Sequence, residues 1–181
     1  MREVLISIQP KWCKLICSGE KTVEVRKNRP NCELPFKCYI YCTKGKPTFS
    51  QSAFCDEVSN GKVIGEFVCD SIIVAKCGSY CKIPTKLSQV DAIDLMDYAD
   101  GKTVYGWHIA DLVVYDEPRE LGEFSSAEKK SCPAYLNGTC LYRTQNQVIR
   151  CEHLDCEHKK ITRSPQSWQF CVATEPRQTA D

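Results

Sequence analysis

The sequence predicts an α+β fold, a small β-barrel with helices covering its open ends. Three observations lead there. Strand-like runs recur along most of the chain, helical spacing is confined to two segments, and the excursions between runs are long and polar. The 181 residues are enough for one well-cored domain with an insertion and too few for two full domains.

The elements follow in order. Ile6-Ser7-Ile8-Gln9-Pro10 reads as a strand end that turns into a helix over Lys11 to Cys17. Trp12, Leu15 and Ile16 recur there at helical spacing, Pro10 suits the first turn, and Gly19 suits a left-handed stop. Lys21 to Lys27 alternates, with Val23 and Val25 on one face and Thr22, Glu24 and Arg26 on the other. A turn over Asn28 to Cys32 leads to a strand from Lys37 to Thr43, then a polar loop ends near Gly61. Lys62 to Cys69 opens a long strand that continues, kinked, through Ala75, with Gly65 marking a bulge or a close backbone approach. Ser88 is placed to cap a helix carrying Val90, Ile93, Leu95 and Met96, which stops near Gly101. Val104 to Tyr115 is strand-like through Trp107, Ile109, Leu112 and Val114, and Trp168 to Val172 is the closing strand. Residues 126–160 alternate little and read as an insertion. The domain is thus expected over 1–125 plus 161–174, followed by a frayed polar tail at 175–181.

Apolar stretches such as Ser71-Ile72-Ile73-Val74-Ala75 are far too short to span a bilayer, and Met1 to Ile6 is too short and too charged for a secretion signal. A cytoplasmic protein without a membrane partner is the expectation. Net charge is only +1, but residues 1–50 carry ten Lys/Arg against four Asp/Glu, whereas residues 51–130 carry eight against fourteen. Arg26, Lys27, Arg29, Lys37, Lys44 and Lys46 give the first third a local positive potential able to attract phosphates. Taken singly, each is equally well read as a solvated strand or loop end.

Gly19-Glu20-Lys21-Thr22-Val23-Glu24-Val25-Arg26 fits the pattern G-x-K-x-x-E-x-R. In this the chain resembles the ASCH (ASC-1 homology) family, whose fold is similar to the PUA RNA-binding domain. Ser7-Ile8-Gln9-Pro10, Gly106-Trp107-His108-Ile109-Ala110-Asp111 and Ser164-Pro165-Gln166-Ser167-Trp168 resemble further landmarks of that family in the same order. The resemblance implies a PUA-like mixed barrel with a cleft lined by Lys21, Glu24 and Arg26, and with Trp107, His108, Ser167 and Trp168 as weaker candidates for the same cleft. Arginine can fork onto a phosphate or carbonyl, a carboxylate can accept from an exocyclic amine, and an indole face can stack a base. Against this stand plainer readings: Glu24 as the salt-bridge partner of Lys21 or Arg26, the tryptophans as core, and His108 as a satisfied structural histidine.

Fourteen cysteines is a high count. Cys38 and Cys42 share a parity with Ile40, and Cys69 and Cys171 fall inside strand-like runs, so these read as compact core fillers. Cys13 and Cys17, one helical turn apart, permit metal binding but fit packing better. Cys77 and Cys81 have no obvious partner pair and read as packing or turn chemistry. Cys132, Cys140, Cys151 and Cys156, with His153 and His158 as alternates, lie within 27 positions of the insertion, where there is little core to fill. Asn137-Gly138 can turn Cys132 toward Cys140, and two local pairs are what a structural Zn2+ needs. Reduced surface cysteines or an adventitious disulfide are the competing readings.

Three functions follow. The first is a binding module for RNA or a modified nucleotide, with single-stranded RNA favoured because an unstacked base can enter a cleft. The second is a hydrolase, since some family members resemble nucleases or amidohydrolases that deacetylate a modified cytidine with a lysine, a threonine and a glutamate. Lys21 and Glu24 would then be catalytic, but the threonine position is Glu24 here, and Glu66 is only a possible third acid. The third is a zinc-stapled interaction domain with no nucleic-acid role. The binding module is the reading adopted.

Overall fold

The computed structural model describes residues 1–44, 60–78, 80–127 and 160–173. Among them lie nine strands and three α-helices: β1 (Glu3–Ile8), α1 (Pro10–Cys17), β2 (Val23–Arg26), β3 (Phe36–Cys42), β4 (Val63–Cys69), β5 (Ile72–Lys76), α2 (Thr85–Ser88), α3 (Ala92–Ala99), β6 (Thr103–His108), β7 (Ala110–Arg119), β8 (Phe124–Ser126) and β9 (Trp168–Ala173). The strands form a six-stranded sheet ordered β7-β4-β3-β1-β9-β8 and a three-stranded sheet ordered β2-β6-β5. The α+β class holds. The expected single barrel is instead two sheets, and among the described residues no closed sheet forms.

The kinked strand expected through Ala75 is two strands in different sheets, because the chain leaves β4 at Cys69 and enters β5 at Ile72. The run from Val104 to Tyr115 divides in the same way at Ile109, with β6 in the small sheet and β7 in the large one. Both crossings are short, Asp70-Ser71 at the first and Ile109 at the second, and strand-like residues continue on either side of each. The two crossings are clamped together: His108 N–H donates to the Ser71 carbonyl at 3.0 Å, and His108 Nδ1 meets Asp70 Oδ1 at 2.7 Å.

Three apolar clusters follow from strand parity. Val4, Ile6 and Ile8 of β1 join Cys38, Ile40 and Cys42 of β3, Phe67 of β4 and Cys13 and Ile16 of α1 on one face of the large sheet. Trp107 reaches the same cluster from β6, meeting Phe36 edge-on at 5.4 Å. Leu5, Tyr39, Tyr41, Phe124 and Cys171 pack on the opposite face. Val23 and Val25 of β2 turn away from Trp107 toward Ala75, Ile83, Leu95, Ala99 and Val104, beneath α3. Cysteines at 13, 38, 42, 69 and 171 are buried among these groups, as small hydrophobes.

Pro10 occupies the first turn of α1, and Gly19 follows its end at φ +76°, a conformation that costs glycine little. Gly65 sits at a register shift between β4 and β7, where an added Cβ would lie 2.5 Å from the Val113 carbonyl oxygen. Ser88 does not cap the longer helix. It ends the one-turn α2, while Asp91 caps α3 by accepting from Ile93 N–H at 2.8 Å. A carboxylate one residue before the helix outcompetes a serine four back.

Candidate functional site

β2 pairs antiparallel with β6, setting Glu24 opposite Trp107 and Arg26 opposite Tyr105. Residues directly opposed in such a ladder project to the same side. Glu24, Arg26 and Trp107 therefore share the face that looks toward the large sheet. Lys21 lies just before the strand and swings back over it.

Lys21, Glu24 and Arg26 meet. Glu24 Oε2 lies 3.3 Å from Lys21 Nζ and Glu24 Oε1 lies 3.0 Å from Arg26 Nη2, with side-chain exposures of 1%, 7% and 11% for Lys21, Glu24 and Arg26. Lys21 Nζ also donates to the Val23 carbonyl at 2.9 Å and to the Ser88 carbonyl. Its ammonium has three N–H groups and three protein acceptors. It also stands 4.9 Å from the centroid of the Trp12 ring, a cation–π contact. Burial pulls the Lys21 pKa below the ordinary lysine range, the Glu24 carboxylate opposes that pull, and Arg26 adds to it.

Arg26 ties the motif to two distant segments. Its Nη2 donates to the Ser7 carbonyl at 2.6 Å. Ser7 in turn donates its N–H to the Ser167 carbonyl at 2.9 Å and its Oγ to the Pro165 carbonyl at 2.7 Å. Trp168 Nε1 donates to Asn28 Oδ1 at 2.8 Å, and the Trp168 ring centroid is 6.2 Å from that of Trp107. Among the described residues, two buried side-chain donors, Arg26 Nε and Trp107 Nε1, have no acceptor.

The structure thus brings Lys21, Glu24 and Arg26 together and, through Ser7, links Arg26 to Ser167, next to Trp168. Trp107 adjoins them but is wholly buried, so its ring faces are covered by the core. His108 does not join them. It projects at the strand crossing with Asp70, whose carboxyl its hydrogen bond holds below the usual range. Glu66 lies elsewhere too, accepting from Lys37 Nζ at 2.7 Å and Tyr115 Oη at 2.6 Å. Sequence reasoning missed Ser7, Trp12, Asn28 and Ser88 as partners of the cluster. Two of those contacts use main-chain carbonyls, which carry no side-chain signature. The residues expected to bind metal, Cys132, Cys140, Cys151 and Cys156 with His153 and His158, lie outside the described residues.

A mixed six-stranded sheet, an antiparallel three-stranded sheet, three helices and a buried Lys-Glu-Arg cluster at the start of the small sheet define an α+β domain built around an ionic motif. The ASCH domain model matches residues 6–132, and the chain belongs to that family. Its fold is similar to that of ASCH from Zymomonas mobilis, with a TM-score of 0.56 at 19% identity over 93% of this chain and 87% of that one. A serine-to-alanine mutant of the Zymomonas mobilis protein gives 0.55 at 18% identity over the same shares, 93% and 87%. A tyrosine-to-phenylalanine mutant of it gives 0.52 at 23% identity over 67% of this chain and 77% of that one. Comparison with curated proteins finds no match. Among the described residues, no helix is long and apolar enough to cross a membrane.

Proposed function

We propose that the chain is a binding module for RNA or a modified nucleotide, which engages its ligand around Lys21, Glu24 and Arg26. The observation that carries this reading is an imbalance. Among the described residues, two buried cations face one carboxylate, and on the same sheet face Arg26 Nε and Trp107 Nε1 are donors without acceptors. An acceptor-rich, negatively charged group such as a phosphodiester, approaching the partly exposed Arg26 side chain, answers the charge imbalance. Ser167 and the half-buried Trp168 flank the cluster, and Trp168 offers the aromatic surface that the covered Trp107 does not.

Binding is favoured over hydrolysis by the state of Lys21. A lysine acts as base or nucleophile as a free amine, whereas all three N–H groups of this ammonium are engaged by protein oxygens. Glu66, the possible third acid, is held by Lys37 and Tyr115. The structural zinc reading of Cys132, Cys140, Cys151 and Cys156 stands beside this proposal as a staple for the inserted segment, with no part in ligand contact.

The test is titration of the full chain with nucleosides and short single-stranded RNAs at two salt concentrations. Affinity for RNA that weakens steeply with salt, and that falls at least about tenfold in Arg26→Lys, supports the proposal. No binding by any nucleoside or RNA overturns it. Turnover of an acylated nucleoside, lost in Lys21→Met, would favour the enzyme instead.

A further inference from the structure

We infer that Cys77 and Cys81 form a thiol–disulfide exchange site whose redox state sets how firmly α2 holds the motif segment. The two sulfurs are bonded to each other. Cys77 is buried in the cluster beneath α3, and Cys81 packs against that cluster while remaining partly exposed. They close the head of the connection from β5 to α2, and the same connection seats Ile83 in the cluster.

α2 has only four residues, Thr85–Ser88. Isolated helices shorter than about 12–15 residues are marginal in water, so its position depends on how its flanks are fastened. From α2 and its C-cap, three hydrogen bonds reach residues 20 to 22. Thr22 N–H donates to the Leu87 carbonyl at 2.9 Å, Lys21 Nζ donates to the Ser88 carbonyl, and Gln89 Nε2 donates to the Glu20 carbonyl at 3.2 Å. One of the three acceptors of the buried ammonium is therefore supplied by a short element whose approach the disulfide restrains. Opening the Cys77–Cys81 ring loosens that approach and the latch with it.

Burial also separates the pair from the strand thiols. The free thiols of Cys38, Cys69 and Cys171 are buried within strands, and burial pushes their pKa values up, away from the reactive thiolate. Cys81 is the more exposed residue of the bonded pair. A dithiol reductant attacks Cys81 Sγ, forming a mixed disulfide and breaking the Cys77–Cys81 bond, and the departing Cys77 thiolate takes up a proton. The second thiolate of the reductant then attacks the reductant sulfur of that mixed disulfide and expels Cys81 as a thiolate, which is protonated. Two electrons and two protons pass to the protein, and the reductant leaves as its disulfide. A small-molecule disulfide drives the reverse reaction.

The test is amide hydrogen exchange on the full chain, oxidised and treated with dithiothreitol, with differential alkylation to report the state of Cys77 and Cys81. Reduction is expected to speed exchange at the Thr22 and Gln89 amides by at least about tenfold while leaving the β1 amides unchanged. Cys81→Ser is expected to show the fast rates with and without reductant. Equal Thr22 and Gln89 rates in the oxidised and reduced wild type overturn the inference. So does alkylation of both cysteines without reductant, or a Cys81→Ser variant that responds to reductant as the wild type does. The readout involves no ligand, so failure of this inference and failure of the binding proposal are separately visible.

Discussion

Replacing Glu24 with glutamine tests the ionic cluster with little change of shape. The substitution exchanges one carboxylate oxygen for an amide nitrogen, so shape is retained and the loss is one of charge. Among the described residues Glu24 is the only acid in contact with Lys21 or Arg26, whose side chains are 1% and 11% exposed. Stranding a buried charge by removing its partner typically costs about 3–5 kcal/mol. Two cations are stranded here, but the glutamine oxygen can still accept from one of them, so about 3 kcal/mol is expected. Against a total stability of roughly 5–15 kcal/mol this is a large fraction. Urea unfolding followed by circular dichroism should show a midpoint lower by about 1–3 M, given slopes of about 1–3 kcal/mol/M. Adding Lys21→Met removes one stranded charge at similar volume, so the double variant should be more stable than Glu24→Gln alone. A Glu24→Gln midpoint within experimental error of the wild type, with no coupling to Lys21, would refute the description of a dry, mutually dependent cluster.

Three further outcomes are expected. Gly65→Ala sets a Cβ 2.5 Å from the Val113 carbonyl oxygen and 3.2 Å from Val114 Cα, both backbone atoms that yield poorly. It should cost about 1–3 kcal/mol and lower the calorimetric Tm, and an unchanged Tm would contradict the close approach of β4 and β7. Burial raises the Cys69 pKa from 9.0 to about 12. Its folded value is the higher one, so its stabilising contribution is whole below pH 9.0 and is lost as pH climbs from there toward 12. Urea midpoints should fall across that window, less steeply in Cys69→Ala, and equal slopes in the two proteins would count against the assignment. Plasma mass spectrometry should find about one zinc per chain, lost when Cys132, Cys140, Cys151 and Cys156 are changed to serine. Metal-free protein with unaltered thermal stability after chelation would remove that expectation.

Local chemistry was the legible part of the fold. Pro10, the spacing of Trp12, Leu15 and Ile16, and Gly19 located α1, and the alternation of Val23 and Val25 against Glu24 and Arg26 assigned the faces of β2. What the sequence hid was the passage of the chain between sheets at residues 70–71 and at Ile109, because hydrophobic periodicity reports burial and not which sheet provides it. Ser88 misled for a related reason. Its side chain is a good cap, but the helix begins after Asp91, and its carbonyl serves Lys21. For the site, the motif named the three charged residues that meet, while their degree of burial and their ties to Ser7 and Trp12 depend on contacts made across the fold. Gly65 was read as a bulge or a close approach, and it is both.

The position of β1 has a consequence for biogenesis. β1 has β3 as its parallel neighbour on one flank and β9 as its antiparallel neighbour on the other, so its second edge is completed by residues 168–173. At ribosomal rates of about 5–20 residues per second, that edge waits roughly 8–30 s for its partner. Throughout that interval the nascent polypeptide carries an open template for mispairing, on which chaperones or neighbouring chains can act. Mutations that weaken β9 are therefore expected to depress the yield of folded molecules more than they depress the stability of those that finish.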